Sequence, residues 1–346
     1  MHFYYNFIFM SAKSIFTRSV GCLARRFRSL QEVWILPWWG SGGFANAPLW
    51  ALDTLVLVAK LLSTCGMAIV RIVIPPVKKS LYGETVLITG AGNGIGRELA
   101  IQLAELGAIV VCWDCDSRRN NAVMDEIRSK DGECIGYTVD VTAREQVSAI
   151  AAAMRRRVTD VSMVISNAGA LTCAPLMALK PEAVVKLVEI NMLAHFWLIQ
   201  AFLPSMIERR HGHIVAINSS AALMPYANMV PYTAAKFGLR GLMESISEEL
   251  RLNTWTKNIN TTSVYMSTVS TGVCPTTHRF TSWHKEVTAQ DAAKIIIDGI
   301  RKNHKTICIP WFMKLFMDFL YILPYRIRII FTDFFNFSHR GWFCFC

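Results

Sequence analysis

A tyrosine and a lysine are the residues whose types and spacing most clearly predict chemistry. Tyr232 and Lys236 lie in the stretch VPYTAAKFGL, and a separation of four residues places both side chains on one face of a helix. An ammonium beside a phenol stabilises the phenolate, which lowers the pKa of the phenol from about 10 toward the physiological range. Such a phenol can both accept and donate a proton, so the pair predicts a general acid/base centred on Tyr232.

A glycine-rich segment earlier in the chain predicts a phosphate-binding turn. The sequence TGAGNGIG, Thr89 to Gly96, follows a short β-branched run and opens the helical stretch RELAIQLAELG. Gly90, Gly94 and Gly96 would let the backbone turn tightly, let a pyrophosphate approach and let the helix pack against the strand. A glycine run alone is a weak signal. Here the strand, turn and helix all fall where a dinucleotide site needs them.

An acid at the end of the next strand predicts which dinucleotide binds. Asp114 ends the second β-branched run, 18 residues beyond Gly96. A carboxylate there accepts hydrogen bonds from the adenosine ribose hydroxyls and repels a 2′-phosphate, which favours NAD over NADP. The alternative is a solvated loop acid, because Asp116 is adjacent and Arg118 and Arg119 could bind a phosphate.

The elements that must position these residues alternate along the chain. From Leu81 to about Ile309, short β-branched runs alternate with amphipathic helical stretches, which is typical of a parallel sheet covered on both faces. The predicted strands are Thr85–Thr89, Ile109–Trp113, Cys134–Val139, Val161–Ser166, His213–Asn218, Asn260–Tyr265 and Thr306–Ile309. Seven strands with intervening helices, and no dividing linker, predict one α/β domain with a doubly wound parallel sheet.

At this point the sequence resembles the classical short-chain dehydrogenase/reductase family, which has a Rossmann fold. The resemblance covers about residues 80–310. It rests on motifs in the expected order: TGAGNGIG, Asp140–Val141, NAG at Asn167–Gly169, Asn191, Ser219, and YTAAK at Tyr232–Lys236. The stretches IPPVKKSLYGETVLITGAGNGIGRELA, WD and NMLAHFWLIQAFLP are most similar to the membrane-associated branch that includes lipid-droplet 17β-hydroxysteroid dehydrogenases and epidermal retinol dehydrogenases.

The resemblance implies a catalytic role for four residues. Ser219 has the position of a serine that hydrogen-bonds the reacting oxygen, and Ser220 is the competing candidate beside it. Asn191 matches a helix asparagine that holds a water between Lys236 and solvent, as a proton relay. Tyr232 remains the acid/base, with its pKa lowered further by the positive nicotinamide of the oxidised cofactor.

The resemblance also implies a cofactor, NAD, with NADP less favoured. Its expected contacts follow the carboxyl edge of the sheet: Gly90, Asn93, Gly94, Ile95, Gly96, Asp114, Asp140, Val141, Asn167, Ala168, Gly169, Tyr232, Lys236 and Thr271. The Thr271 hydroxyl can reach the nicotinamide carboxamide. One departure is that Met266 and Ser267 stand where the family usually has Pro-Gly, which affects the expected loop geometry and cofactor affinity.

The net charge of +11 is concentrated in two flanks. Residues 1–80 contribute +7, residues 301–346 contribute +5, and residues 81–300 contribute −1. Both flanks are apolar, and 53% of the whole chain is hydrophobic, more than a soluble domain normally carries. Basic residues within apolar flanks predict a surface that faces anionic lipid, and we expect no nucleic-acid partner.

The cysteines and histidines predict neither a disulfide framework nor a metal site. The ten cysteines lack the dense regular spacing of a stapled secreted domain, which favours a reducing compartment. Cys112 and Cys115 form a Cys-x-x-Cys without a second pair at zinc-finger spacing. His195, His211 and His213 lack acidic or cysteine partners at metal spacing, so a structural role is predicted for each.

The N-terminal flank contains a mostly apolar run from Leu49 to Ile74, long enough to span a bilayer. Lys60 lies near its middle, where a lysine costs about 2.5–3.5 kcal/mol on insertion scales. Spanning and lying on the membrane therefore both stay open. A further alternative is an amphipathic helix that lies on the catalytic domain.

The C-terminal flank is aromatic. Residues 307–346 hold thirteen of the 38 aromatic residues, interleaved with arginines and aliphatics, which suits an interfacial segment. The sequence thus predicts a basic extension over residues 1–48, a hydrophobic anchor over 49–79, the dehydrogenase domain over 80–310 and an interfacial tail over 311–346.

These features together predict an NAD-dependent membrane-bound dehydrogenase. Phe280 and Trp283 in the expected substrate-covering segment, with Pro225 and Met229 before the catalytic tyrosine, favour a lipophilic alcohol or ketone such as a retinoid, steroid or long-chain alcohol. The expected location is the endoplasmic reticulum membrane or a lipid droplet, with the domain facing the cytosol and forming a homodimer. Two alternatives are a mitochondrial address, from the acid-free residues 1–31, and a scaffold protein that keeps the fold without turnover.

Overall fold

The computed structural model describes residues 47–74, 76–157, 160–267, 269–270 and 287–334. The chain divides into two compact units, Met1–Pro76 and Val77–Cys346. Thr271, Phe280 and Trp283, the basic extension before residue 47 and the end of the aromatic tail lie outside the described residues.

The second unit is built on a parallel sheet. Its strands are β1 Thr85–Thr89, β2 Ile109–Asp114, β3 Cys134–Thr138, β4 Met163–Ser166, β5 Gly212–Ser219, β6 Ile259–Met266, β7 Val269–Ser270, β8 Val287–Thr288 and β9 Thr306–Ile309. Seven strands pair in the order β3-β2-β1-β4-β5-β6-β9, while β7 pairs with β8. The predicted doubly wound sheet is confirmed, and each predicted strand matches an observed one to within two residues at either end. The strand order reverses between β1 and β4, where such sheets bind their ligands.

Helices connect the strands and cover both faces of the sheet. The helices of this second unit are α2 Gly94–Glu105, α3 Ser117–Ser129, α4 Arg144–Arg157, α5 Pro181–Val188, α6 Ala194–Arg209, α7 Val230–Leu252, α8 Ala289–Arg301, α9 Met313–Ile322 and α10 Tyr325–Phe334. The first unit contains the helix α1 Ala47–Val73. A π-helical turn, Glu189–Leu193, joins α5 to α6.

The core lies on both sides of β1, all five residues of which are buried. Val86 and Ile88 belong to one apolar cluster, and Leu87 belongs to another. This alternation follows from the two-residue repeat of a strand. Because helices cover both faces of the sheet, the side chains on both faces of β1 are buried and its three central residues are apolar.

The helix α1 exposes much of its apolar surface. Leu55 and Leu62 are among its exposed side chains, and so is the charged Lys60. With a rise of about 1.5 Å per residue, a helix of this length is long enough to cross a bilayer.

A second apolar helical stretch belongs to the core. Among the described residues, the helical stretch Pro181–Arg209 has the length and hydropathy of a membrane span, and 39% of its most apolar window is buried. Leu198 and Phe202 within it belong to the cluster on the sheet. A core helix has such a composition because it is apolar around most of its circumference.

Candidate active site

The tyrosine and lysine of the predicted pair lie in the first turns of α7, which begins at Val230 with Pro231 in its first turn. The Lys236 side chain is buried (4% exposed), and its Nζ donates to the carbonyl oxygen of Ile217 on β5 at 3.3 Å. The same Nζ lies 5.6 Å from the centroid of the Tyr232 ring. The helix therefore holds a buried ammonium beside the phenol, as the spacing predicts.

Burial shifts the pKa of both groups. It lowers the pKa of Lys236 to about 8. It raises the pKa of the Tyr232 phenol, an effect that a side-chain hydrogen bond with Ser219 opposes. In the cofactor-free protein the loss of hydration outweighs this hydrogen bond. The lowering predicted from the ammonium together with the positive nicotinamide of the bound cofactor stays a prediction.

The two candidate serines point to different phenols. Ser219 is the last residue of β5, and its side chain hydrogen-bonds Tyr232 and accepts from the backbone N–H of Ala221 at 3.1 Å. Ser220 instead shares a hydrogen bond of 2.9 Å with the phenol of Tyr226. Of the two, Ser219 is the serine that lies with the candidate acid/base.

Asn191 lies in the π-helical turn between α5 and α6 and is fully buried. Its Nδ2 donates to the carbonyl oxygens of Ala170 at 2.7 Å and Leu187 at 3.0 Å. Its Oδ1 has no hydrogen-bond partner in the described part of the chain. A Cβ built on Gly169 would lie 2.9 Å from this Oδ1 and 3.9 Å from Lys236 Nζ. The absence of a side chain at Gly169 thus leaves open the space that both groups border.

A threonine ties the ends of β1 and β4 together. The Thr89 hydroxyl accepts from the backbone N–H groups of Asn167 at 3.0 Å and Ala168 at 3.1 Å. In return, Asn167 Nδ2 donates to the carbonyl oxygens of Thr89 at 3.0 Å and Gly90 at 3.2 Å. Thr89 is a site residue that the sequence motifs did not predict. Its signal is a hydroxyl at the first position of the glycine-rich motif, immediately after an apolar strand.

The glycine-rich turn has the close contacts that its residues predict. Gly90 and Gly94 have φ angles of 65° and 54°, a left-handed conformation that favours glycine. A Cβ on Gly96 would lie 2.0 Å from the carbonyl oxygen of Gly90. Asn93 caps α2 by accepting from the N–H of Gly94 at 2.8 Å, and Ile95 packs against the core. The turn therefore forms a narrow backbone cradle at the start of a helix, which suits a pyrophosphate.

Asp114 lies directly against this turn. Its Oδ2 accepts from the N–H of Gly92 at 2.8 Å, and its Oδ1 accepts from the N–H of Asp116 at 2.9 Å. Arg119, which could bind a phosphate, is paired with Asp116 at 3.2 Å. The end of β2 therefore contacts the turn, and these two hydrogen bonds fix the orientation of the carboxylate.

Other expected site residues occupy the same edge of the sheet. Asp140 follows β3, and its Oδ1 accepts from the backbone N–H and the hydroxyl of Thr142 at 2.9 and 2.7 Å. Val141 is buried in the core. Met266 ends β6, and the N–H of Ser267 donates to Ile309 at 2.9 Å. The chain therefore continues its pairing with β9 at the position where the family usually has Pro-Gly.

Comparisons with known proteins agree with this arrangement. The family model described as short chain dehydrogenase matches residues 84–285. The 17-beta-hydroxysteroid dehydrogenase 13 of Homo sapiens is 33% identical over 279 residues, which cover 81% of this chain and 92% of the relative. The epidermal retinol dehydrogenase 2 of Mus musculus is 34% identical over 296 residues, which cover 83% and 93%.

A solved structure is similar as well. The crystal structure of a metagenomic short-chain oxidoreductase in complex with NADP has a TM-score of 0.57 and 30% identity, covering 66% of this chain and 96% of that one. The fold and these matches define an oxidoreductase that uses a nicotinamide cofactor to act on an alcohol or ketone. The chain belongs to the short-chain dehydrogenase family, and the resemblance predicted from its motifs is confirmed.

Proposed function

We propose that this protein is a membrane-bound dehydrogenase that transfers hydride between NAD and a lipophilic alcohol or ketone, such as a retinoid, steroid or long-chain alcohol. The observation that carries the proposal is the Tyr232 phenol, hydrogen-bonded to Ser219 and beside the buried ammonium of Lys236. This group lies close to the cofactor turn. A Cβ on Gly169 would be 3.9 Å from Lys236 Nζ. Asn167, two residues before Gly169, donates to the carbonyl oxygen of Gly90 in the turn at 3.2 Å.

Each catalytic residue has its own role in alcohol oxidation. When bound, the nicotinamide ring supplies the acceptor for the hydride that leaves the carbinol carbon. The Tyr232 phenolate accepts the proton of the hydroxyl, and Ser219 Oγ hydrogen-bonds the reacting oxygen. The proton then leaves toward solvent past Lys236 and Asn191, whose Oδ1 has no partner in the described chain and is available to a water. Ketone reduction is the reverse, with the phenol as the acid.

The residues expected to bind the cofactor support NAD as the preferred hydride carrier. The cradle of Gly90, Gly94 and Gly96 would hold the pyrophosphate, and Asp114 would accept from the ribose hydroxyls. The preference is a proposal of its own, because the metagenomic relative was crystallised with NADP.

Replacing Asp114 with alanine should relax the discrimination between the two cofactors. The repulsion of the 2′-phosphate disappears and hydrogen bonds from the ribose are lost, so the ratio of kcat/KM for NAD to that for NADP should fall by about 10-fold or more. Steady-state kinetics with both cofactors measures the ratio. Asp125→Ala, which removes an exposed carboxylate of α3, should leave it unchanged. A wild-type enzyme that already prefers NADP would contradict the premise.

The C-terminal helices support a lipophilic substrate and a membrane surface. Met313, Met317 and Leu320 of α9 pack onto Leu223 and Met224, which follow the two serines. The helix therefore lies against the segment that leads from Ser219 to α7. Its other side is apolar too, since Leu315, Phe319 and Ile322 are exposed. The Arg328 guanidinium lies over the rings of Tyr321 and Tyr325, at 4.6 and 5.2 Å from their centroids. Exposed apolar groups beside aromatic and basic groups suit the headgroup region of a bilayer.

We further propose that α1 and the pair α9–α10 are two membrane attachments, at the endoplasmic reticulum or a lipid droplet, with the catalytic domain in the cytosol. The charge distribution of +7, −1 and +5 supports this, because basic residues beside apolar segments are retained on the cytosolic side. None of the six cysteines that the structure describes forms a disulfide, as suits a reducing compartment. A homodimer is proposed from the family resemblance alone.

Deleting residues 1–76 should move much of the protein into the soluble fraction, because two weak attachments together hold far better than one. Deleting residues 1–46 removes the basic extension but keeps α1, so that variant should stay mostly with membranes. Flotation in a density gradient measures the membrane-bound fraction of both variants. Adding Leu315→Asp and Phe319→Asp to the 1–76 deletion should release the remainder.

Two glycosylation triplets test the orientation. Asn260-Thr-Thr begins within β6 and Asn336-Phe-Ser lies in the aromatic tail, and a cytosolic domain leaves both unmodified. A glycan on Asn260, or full solubility of the intact chain, would overturn the membrane placement.

The alternative function is a membrane scaffold that keeps the fold without turnover. A cofactor titration followed by an NADH-formation assay over a panel of lipid alcohols, with the full chain in vesicles, separates the two. The proposal expects saturable NAD binding and NADH formation with at least one alcohol. Binding without any turnover would favour the scaffold.

A further inference from the structure

His195 is a buried imidazole that the chemistry described so far does not use. It lies in the first turn of α6, and it is 2% exposed. It follows Asn191 by four residues, which places the two side chains on adjacent turns of one helical face. Its Nε2 has no hydrogen-bond partner among the residues that the structure describes.

Buried polar atoms without a protein partner concentrate on the two catalytic helices. Five such side-chain atoms occur in the described chain. Three of them are Asn191 Oδ1, His195 Nε2 and the hydroxyl of Thr233, which neighbours Tyr232. Buried polar groups that the protein leaves unsatisfied are usually satisfied by ordered water. These three atoms belong to the π-helical turn, α6 and α7, the elements that also carry Asn191 and Lys236.

The electrostatics of His195 fit a neutral water-binding group. Burial lowers the pKa of the imidazole, and the electrostatic coupling to the Lys236 ammonium acts in the same direction, to a value of about 3. This coupling shows that the ring lies within electrostatic range of the lysine. A neutral imidazole offers one N–H donor and one acceptor nitrogen. It can therefore hold a water without adding a second charge beside the buried ammonium.

The π-helical turn packs closely on α7. A Cβ built on Gly238 of α7 would lie 2.3 Å from the sulfur of Met192 in the π-helical turn. The two helices thus touch where Gly238 has no side chain. This contact fixes the spacing between Asn191 on one helix and Lys236 on the other.

We propose that His195 is a positioning residue of the proton relay, which holds the water that links Asn191 Oδ1 and the Lys236 ammonium to solvent. During alcohol oxidation the proton taken by Tyr232 leaves through this water, which gives one proton outward for each that it receives. The imidazole donates one hydrogen bond and accepts one, so its own protonation does not change. The inference rests on the proposed dehydrogenase function.

Two substitutions separate positioning from simple packing. His195→Phe keeps an aromatic ring without polar atoms, whereas His195→Gln keeps one donor and one acceptor. With the full chain in vesicles, His195→Phe should lower kcat for alcohol oxidation by about 10-fold, less than loss of the acid/base itself. The KM for NAD should stay within about twofold, and the solvent deuterium isotope effect on kcat should rise as proton release becomes limiting. His195→Gln should recover most of the rate.

Two kinetic outcomes would overturn the assignment. One is an unchanged kcat and isotope effect in His195→Phe. The other is an equal loss of rate in both variants, with an equal fall in melting temperature and no change in the isotope effect, which would show a packing role.

A crystal structure of the wild-type protein gives a readout that does not depend on turnover. It should show an ordered water within hydrogen-bond distance of His195 Nε2, and the absence of that water contradicts the proposal. If the wild type turns over no alcohol, the dehydrogenase proposal fails, and the crystallographic water still decides whether His195 organises a hydrated path.

Discussion

Replacing Tyr232 with phenylalanine should lower turnover by at least about 10²-fold while leaving NAD binding nearly intact. The phenol oxygen is the only atom removed, and it is the atom that bonds Ser219 and would exchange the proton with substrate. The pyrophosphate cradle of Gly90, Gly94 and Gly96 is unchanged by the substitution, so the affinity for NAD should fall far less than the rate. Fluorescence titration with NADH and steady-state kinetics on the same preparation measure the two quantities.

Tyr226→Phe is the matched control. It removes the phenol oxygen of a partly buried tyrosine that is hydrogen-bonded to Ser220, the neighbour of Ser219. We expect its turnover to remain within a few-fold of the wild type. Retained turnover in Tyr232→Phe would remove this residue from the acid/base role.

Replacing Gly96 with alanine should abolish cofactor binding at concentrations that saturate the wild type, an expected loss of about 100-fold or more in affinity. The added Cβ would lie 2.0 Å from the carbonyl oxygen of Gly90 and 2.6 Å from Asn167 Nδ2. A backbone carbonyl cannot yield as a flexible side chain does, so the turn itself must move. Such a shift costs several kcal/mol of strain or lost packing, and about 2.7 kcal/mol is already 100-fold in affinity.

Gly241→Ala is the control for this substitution. Gly241 is also within a helix, and a Cβ there meets nothing within 4 Å. Alanine in an exposed helix interior is favoured over glycine by about 0.5–1 kcal/mol. That variant should bind NAD normally and unfold at the same or a higher temperature. Normal cofactor affinity in Gly96→Ala would show that the cradle does not bind the pyrophosphate.

Sequence patterns predict the sheet well because its strands are buried on both faces. Each strand is then a short apolar or β-branched run between turn residues. The contact between Asp114 and the turn was also predictable, since parallel strands end at one edge of the sheet. The spacing of Tyr232 and Lys236 could be read directly, because it depends only on helical geometry.

Features that depend on distant packing were not predictable from one sequence. The Thr89 hydroxyl binds residues that lie 78 and 79 positions further along the chain. The direction of the Tyr232 pKa shift depends on how deeply the phenol is buried, and neighbouring residues in the sequence do not set that depth. The packing of α9 onto Leu223 and Met224 likewise joins segments that no local pattern connects.

At Met266 and Ser267 the structure differs from the turn that the sequence suggests. The sequence suggests a disturbed turn there, because the usual Pro-Gly is missing. Ser267 instead donates its N–H to Ile309, a bond that extends the pairing of β6 with β9. The pairing of β6 with β9 therefore continues at the edge where the cofactor is expected.

Isotope transfer tests the central claim, hydride transfer to a nicotinamide at this site, most directly. The measurement uses the full-length protein in vesicles, NAD, and a lipid alcohol that carries deuterium on its carbinol carbon. Mass spectrometry of the reduced cofactor then shows where the label goes. We predict deuterium in the NADH formed by the wild type, and formation of labelled NADH at least about 10²-fold slower in Tyr232→Phe. An enzyme that binds NAD but leaves the deuterium on every alcohol of the panel would contradict the proposed function.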